Sequence, residues 1–232
     1  MNLKRLSPLA AIAITLGATS LPAAASAPNA FAQMKLVVAD ANAQQSVRVT
    51  TTANQSGMKI LEITDAGRSE GRQSIALTSG GKTNTLLSEL IAGKLYVKGD
   101  AAILTSYLAL TQGNANELAG QWFGIPKSSG YYAEIAQGLT LSTGMAEVTM
   151  TSTVKSEPNT TINGAKVEEL KGMSVKSSLE ASFKETLYFT VSKKPLPVEV
   201  TQSVQGSVGT IVFSHWNEKV DLVAPKVTLH LN

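Results

Sequence analysis

The chain has 232 residues, 43% of them hydrophobic, with 20 Lys and Arg against 17 Asp and Glu and a formal net charge of +3. It contains no cysteine and two histidines, His215 and His230, which excludes disulfides, thiolate metal sites, cysteine nucleophiles and the HxH or HExxH spacing of zinc sites. No Lys/Arg run exceeds two residues, so the basic balance leaves no nucleic-acid footprint.

The chain opens with Lys4 and Arg5, an apolar run from Leu6 to Gly17, and the small residues of PAAASAPNAFA. That order is a secretory signal: basic start, short apolar run, small-residue cleavage site. The run is shorter than the ~20 residues a membrane span needs. Pro28 argues against a cut after Ala27, whereas Ala30-Phe31-Ala32 before Gln33 fits the small-x-small rule. The expectation is a signal over residues 1–32 and one domain over 33–232, working outside the cytoplasm away from nucleotide cofactors. Loss of Lys4 and Arg5 brings the remaining charge close to neutral. Without cysteine there is no lipobox to acylate, so the expected product is soluble, secreted or held in the periplasm or cell envelope, with no transmembrane segment.

Strands come first. SVRVTTTA places Val47, Val49 and Thr51 on one face; MKILEIT, RQSIALTS and TNTLLSELIAGKLYVKG follow. Ala66-Gly67, Ser79-Gly80-Gly81 and Ala92-Gly93 are the expected hairpin turns. At Asp100 the period changes. Ile103, Leu104, Tyr107 and Leu108 form a helical stripe with Asp100 as N-cap. QGNAN reads as a Gly/Asn break, and a hinge, before a short turn or helix around Glu117–Gly120. Tyr131, Tyr132, Ile135, Ala136 and Leu139 make a second helical stripe. Strands return after Pro158: KVEELKGMSVKSS with a turn at Gly172, ETLYFTVSKK with Leu187, Phe189 and Val191 on one face, LPVEVTQSVQG, GTIVFSHW and KVDLVAP. Alternating strands with helices grouped mid-chain predict an α+β fold: an antiparallel sheet with helices on one face.

Catalytic motifs are few. Gly67-Arg68-Ser69-Glu70-Gly71 matches GxSxG, but strand rather than helix follows it, which points to a solvated β-turn instead of a nucleophile elbow. Gly80-Gly81-Lys82-Thr83 resembles the end of a phosphate loop, yet Ala76 stands where that loop needs its first Gly. His215, between Ser214 and Trp216, reads as an ordinary strand residue. Glu168 and Glu169 point to opposite faces of a strand and make no dyad. Asn54-Gln55-Ser56 and Asn159-Thr160-Thr161 are glycosylation sequons. The remaining signal is aromatic and apolar, with Tyr107, Trp122, Phe123, Tyr131 and Tyr132 clustered in the helical centre; such residues fill a core or cap an apolar cavity.

The order GKLYVKGDAAIL, LAGQWFGIPKSS, KKPLPVEV and IVFSHWNEKVDLVAP resembles the actinobacterial exported lipoproteins of the LppX/LprG kind, and more broadly the LolA/LolB-like lipoprotein-carrier superfamily. The similarity runs from about residue 40 to 225 and rests on structural markers, not catalytic signatures. It implies a strongly curved antiparallel half-barrel whose concave face is covered by helices. It implies too an interior that holds acyl chains, with lipid or an acylated molecule as ligand, no enzyme activity and no cofactor. Expected lining residues are Leu104, Tyr107, Leu108, Trp122, Tyr131, Tyr132, Ile135, Leu139, Leu187, Phe189, Val191 and Phe213. The alternative is an envelope sensor or structural interaction module that keeps the fold with a collapsed cavity and binds an envelope protein partner.

Overall fold

The computed structural model describes residues 29–145, 148, 150, 153–176, 181–204, 207–227 and 229–230, so residues 1–28 of the expected signal lie outside the described residues. β1 (Ser46–Gln55), β2 (Met58–Gly67), β3 (Gly71–Ser79), β4 (Lys82–Ile91) and β5 (Lys94–Gly99) form an antiparallel meander. Three of its four turns are two-residue loops in which both residues have positive φ: Ser56-Gly57 (52° and 79°), Gly80-Gly81 (58° and 78°) and Ala92-Gly93 (49° and 72°). That conformation matches the twist of the flanking strands, and the second glycine accepts it without a Cβ penalty.

Helices follow where the period changes. α2 (Ala101–Tyr107) buries Ile103 and Leu104. Asp100 occupies its N-cap position but makes no cap bond; its carboxylate accepts from the Thr85 backbone N–H at 2.6 Å and the Thr85 hydroxyl at 3.2 Å, tying helix to sheet. The expected break at QGNAN is instead α3 (Gln112–Leu118). Thr111 caps its N-terminus, Gln112 donates to Asn116 at 2.9 Å, and buried Ala115 and Leu118 anchor it, which outweighs the low helix propensity of Gly113 and two asparagines. The hinge expected there is a helix. β6 (Phe123–Ile125), α4 (Gly130–Gly138) and α5 (Leu141–Met145) complete this half.

The second half contains β7 (Lys155–Ile162), β8 (Ala165–Lys176), β9 (Ala181–Thr190), β10 (Pro197–Val204), β11 (Ser207–Ser214) and β12 (Leu229–His230). Gly172 does not turn the chain. It lies inside β8 opposite Glu185, where a Cβ would crowd Met150 and Val154 at 3.3 and 3.4 Å. Pro158 falls in the edge strand β7 at a register shift between Glu157 and Thr160, where its missing N–H costs no ladder bond. KVDLVAP is not a strand. It runs without regular structure until β12 pairs parallel with β6.

The strands form one sheet in the order β12-β6-β5-β4-β3-β2-β1-β11-β10-β9-β8-β7, with every neighbouring pair antiparallel except β12 and β6. The two ends do not pair, so the sheet is an open, curved half-barrel with helices on its concave side, as the α+β reading expects. One helix was not expected. α1 (Ala30–Asn42) begins before the anticipated cut at Ala32–Gln33, with Asn29 accepting from the Ala32 backbone N–H at 2.8 Å. Its apolar stripe of Met34, Val37 and Ala41 is buried against the sheet. No helix among the described residues is long and apolar enough to cross a membrane.

Candidate functional site

The concave face carries two apolar clusters, one on each half of the sheet. The first lies beneath α1 and α5 and joins Val37, Val49, Leu141, Met145, Leu187 and Phe189. The second lies beneath α2, α3 and α4 and joins Leu86, Val97, Leu104, Phe123, Ile135 and Leu139. The α4–α5 junction runs between them, with Leu139 in one cluster and Leu141 in the other. Thr140 bridges to Gly67, which places this junction on the turn end of β2 and β3.

A polar stripe crosses the same face. Gln73 donates to Glu62 at 2.8 Å and to Thr64 at 3.1 Å. The register Glu62–Ile75 and Thr64–Gln73 puts these polar groups on the inward side of β2 and β3, next to apolar cluster members. Tyr107 packs against the second cluster. Burial, then the charges of Glu62 and Glu134, push its phenol up to about 12, so the hydroxyl stays protonated at any ordinary pH. A second inward polar group sits on β8, β9 and β10, where Ser174 and Gln202 donate to the buried Glu185 at 2.9 and 3.1 Å. The interior is therefore apolar in two basins with carboxylate-centred patches between and beside them.

The expected lining residues divide between these basins. Leu104, Leu108, Ile135 and Leu139 are buried in the second cluster, with Tyr107, Tyr131 and Tyr132 packed on its margin. Leu187, Phe189 and Phe213 are buried in the first. Val191 does not share their face: β9 ends at Thr190, and Val191 stands 49% exposed in the bend that follows. Trp122 is half-buried and belongs to neither cluster. What the periodicity could not show is that two basins exist, because their separation is set by strand order and by the α4–α5 junction. α1 was also missed; its stripe at i, i+3 and i+7 was readable, but its first turn coincides with the cleavage-site pattern.

A surface pocket of about 450 Å³ opens at the rim of the second basin, lined by the β4–β5 turn, β5, β6, the start of α4 and the C-terminal segment. Tyr132 is the one expected lining residue that reaches it, and its hydroxyl donates to the Gly93 carbonyl at 2.7 Å. A second pocket, of about 200 Å³, lies against β1–β3 and is polar. There Arg48 clasps Asp65 through two bonds of 2.6 and 3.0 Å, and Arg72 adds a third at 2.7 Å. The Arg48 hydrogen bond, aided by Arg72, holds the Asp65 carboxyl below the usual aspartate range.

The GxSxG string forms the β2–β3 turn. Ser69 is exposed at its tip, the Gly67 N–H donates to the Glu70 carbonyl at 2.8 Å, and no helix follows. Arg68 reaches the Ala43 and Gln44 carbonyls at 2.7 and 3.1 Å, closing the C-terminal end of α1. His215 is exposed with φ 54°, its Nδ1 beside the Ser214 hydroxyl at 2.9 Å. The turn, not the elbow, accounts for this motif.

No family model matches the chain, and no curated protein does. Solved structures do. LprF from Mycobacterium bovis aligns over 83% of this chain and 94% of its own with a TM-score of 0.55 at 11% identity. The Mycobacterium tuberculosis lipoprotein LppX aligns over 84% of this chain and 99% of its own with a TM-score of 0.53 at 14% identity. The chain has the LppX/LprF fold, which bears out, as a likeness of fold, the resemblance carried by the Tyr-Val-Lys-Gly turn, the Gly-x-Trp segment and the late Phe-Ser-x-Trp strand.

Proposed function

We propose that this chain is an exported, non-enzymatic carrier that shields acyl chains between its curved sheet and its helices. The observation that supports it is the pair of apolar clusters on the concave face, each covered by helices, the second by three short ones with few hydrogen bonds to the sheet. α2 to α4 together are held by Asp100 to Thr85, Gly120 to Gly99 and Tyr132 to Gly93. Parting such a cover exposes apolar surface on both sides, and an acyl chain that fills the gap gains roughly 0.8 kcal/mol per buried CH₂. The domain spans 33–232 behind a cleaved signal, and the missing lipobox leaves it unanchored. Lining residues in this reading are those of the two basins, with Val191 and Trp122 outside them.

The interaction-module reading is favoured by a specific observation. Leu104, Leu139, Leu187 and Phe189 are all 0–1% exposed in the structure, so the basins are closed against themselves. Mass spectrometry of an organic extract from protein purified out of its native envelope or medium separates the two. A defined acylated lipid at near-equal molar amount is the expected result. A folded, lipid-free protein that takes up no added lipid and co-purifies with one stoichiometric partner overturns the carrier reading.

A further inference from the structure

The rim pocket has a composition of its own. Its floor and walls include Leu95, Ile125, Pro126 and Pro225, and two tyrosines, Tyr96 and Tyr132, flank them. Its charged members are Lys94 and Lys127, and no Asp or Glu lines it. Glu89, opposite Tyr96 on β4, is the neighbouring carboxylate and stands outside the lining. Among the described residues neither lysine has a hydrogen-bond or ion-pair partner, whereas Lys171 and Lys219 each hold a carboxylate.

The fold brings the two ammonium-bearing chains to one place. The tight Ala92-Gly93 turn starts β5 at Lys94, and the Lys127 Nζ lies 3.3 Å from where a Cβ on Gly93 would stand. Glycine at that turn leaves room for the lysine to lie over it. About 450 Å³ falls within the range of small-molecule sites, which are mostly apolar with a few placed polar groups. Leu95 and Ile125 are members of the second apolar cluster and Tyr132 packs against it, so the pocket abuts the interior through three of its lining side chains.

We propose that this pocket is a binding site for the anionic head of an acylated molecule, the two lysines holding a carboxylate or phosphate while the apolar floor takes the first part of the chain. The inference rests on the carrier reading only in taking the ligand to be acylated. Charge complementarity selects the head group: two unpaired cations without a lining carboxylate disfavour a cationic or acidic-site ligand, and the floor disfavours a bare ion.

The test titrates the purified protein with laurate, with its uncharged monoacylglycerol counterpart monolaurin, and with acetate. Laurate is expected to bind, more weakly as salt rises. K94Q/K127Q is expected to weaken laurate binding on the order of tenfold, two exposed charge contacts of modest strength each, and to leave monolaurin unchanged. Both lysine side chains are exposed, so the variant is expected to fold as the parent does; K94R/K127R retains laurate binding. The proposal is overturned if K94Q/K127Q binds laurate like the parent. It is also overturned if acetate binds as tightly as laurate, which makes the pocket a plain anion site, or if the protein holds only anionic vesicles and no monomeric laurate. Monolaurin uptake with silent lysines removes the rim site and keeps the carrier; loss of both ligands removes the carrier reading as well.

Discussion

A methyl group on Gly71 would sit 2.1 Å from the Leu139 carbonyl oxygen and 2.9 Å from that of Asp65. The glycine thus sets how closely the α4–α5 junction lies on the sheet, and with it the seam between the two basins. Gly71→Ala is expected to destabilise the fold by about 2–3 kcal/mol, as overpacking against backbone does, measured as a shift in denaturant midpoint. Nothing in GxSxG as a string told of this role; the second glycine serves close approach. Asp65 gives the pH dependence. Its carboxyl is held below the unfolded-chain value of about 3.9 by Arg48 and Arg72, so the stabilisation is complete above that value and is lost as pH falls through the lower folded value. Asp65→Asn is expected to cost about 1 kcal/mol at neutral pH, and the gap to the parent should close as pH falls through the lowered folded value. A gap that stays constant in acid would show that the pairing is not its cause.

α1 is the element whose meaning changed most. The residues that look like a cleavage site, Ala30-Phe31-Ala32, are its first turn, and Ala30 and Phe31 pack against the first cluster. Lys35 lies over the Phe31 ring at 4.5 Å. A chain beginning at Gln33 lacks both the Asn29 cap and this ring, and is expected to unfold about 1–2 kcal/mol more easily than one beginning at Asn29. Paired thermal or urea unfolding of the two checks it; equal stability would mean the first turn contributes nothing. The other elements show why sequence reading succeeds and fails. The meander was legible because period-two strands alternate with two-residue glycine turns. α2 and α4 were legible from their stripes. α3 was not, because a threonine cap, a Gln–Asn pair and two buried anchors outweigh poor propensity. The strand expected at KVDLVAP is not formed, and strand pairing resumes only where β12 meets β6.

At the scale of the molecule, the α+β class and the curved open sheet were legible, and so was the likeness of fold to LppX. The interior was only half legible. Periodicity marks which side chains turn inward, and eleven of the twelve expected lining residues are buried or half-buried. It carries no information on how strands from distant parts of the chain line up, so neither the two basins nor the polar stripe of Glu62, Thr64 and Gln73 between them could be foreseen. The rim pocket depends on the same long-range order, joining a turn at residue 93 to a C-terminal segment at residue 225.

The central claim is that acyl chains lodge between sheet and helices. A fatty acid carrying a photoreactive group at the far end of its chain tests it most directly, with labelled peptides read by mass spectrometry after irradiation. Labels on α2, α4 or the inward residues of β4, β5 and β9, such as Leu86, Val97 and Phe189, are the result the account requires. Labels confined to outward residues such as Leu61 and Val208, or none at a ligand excess that saturates a control carrier, would contradict it.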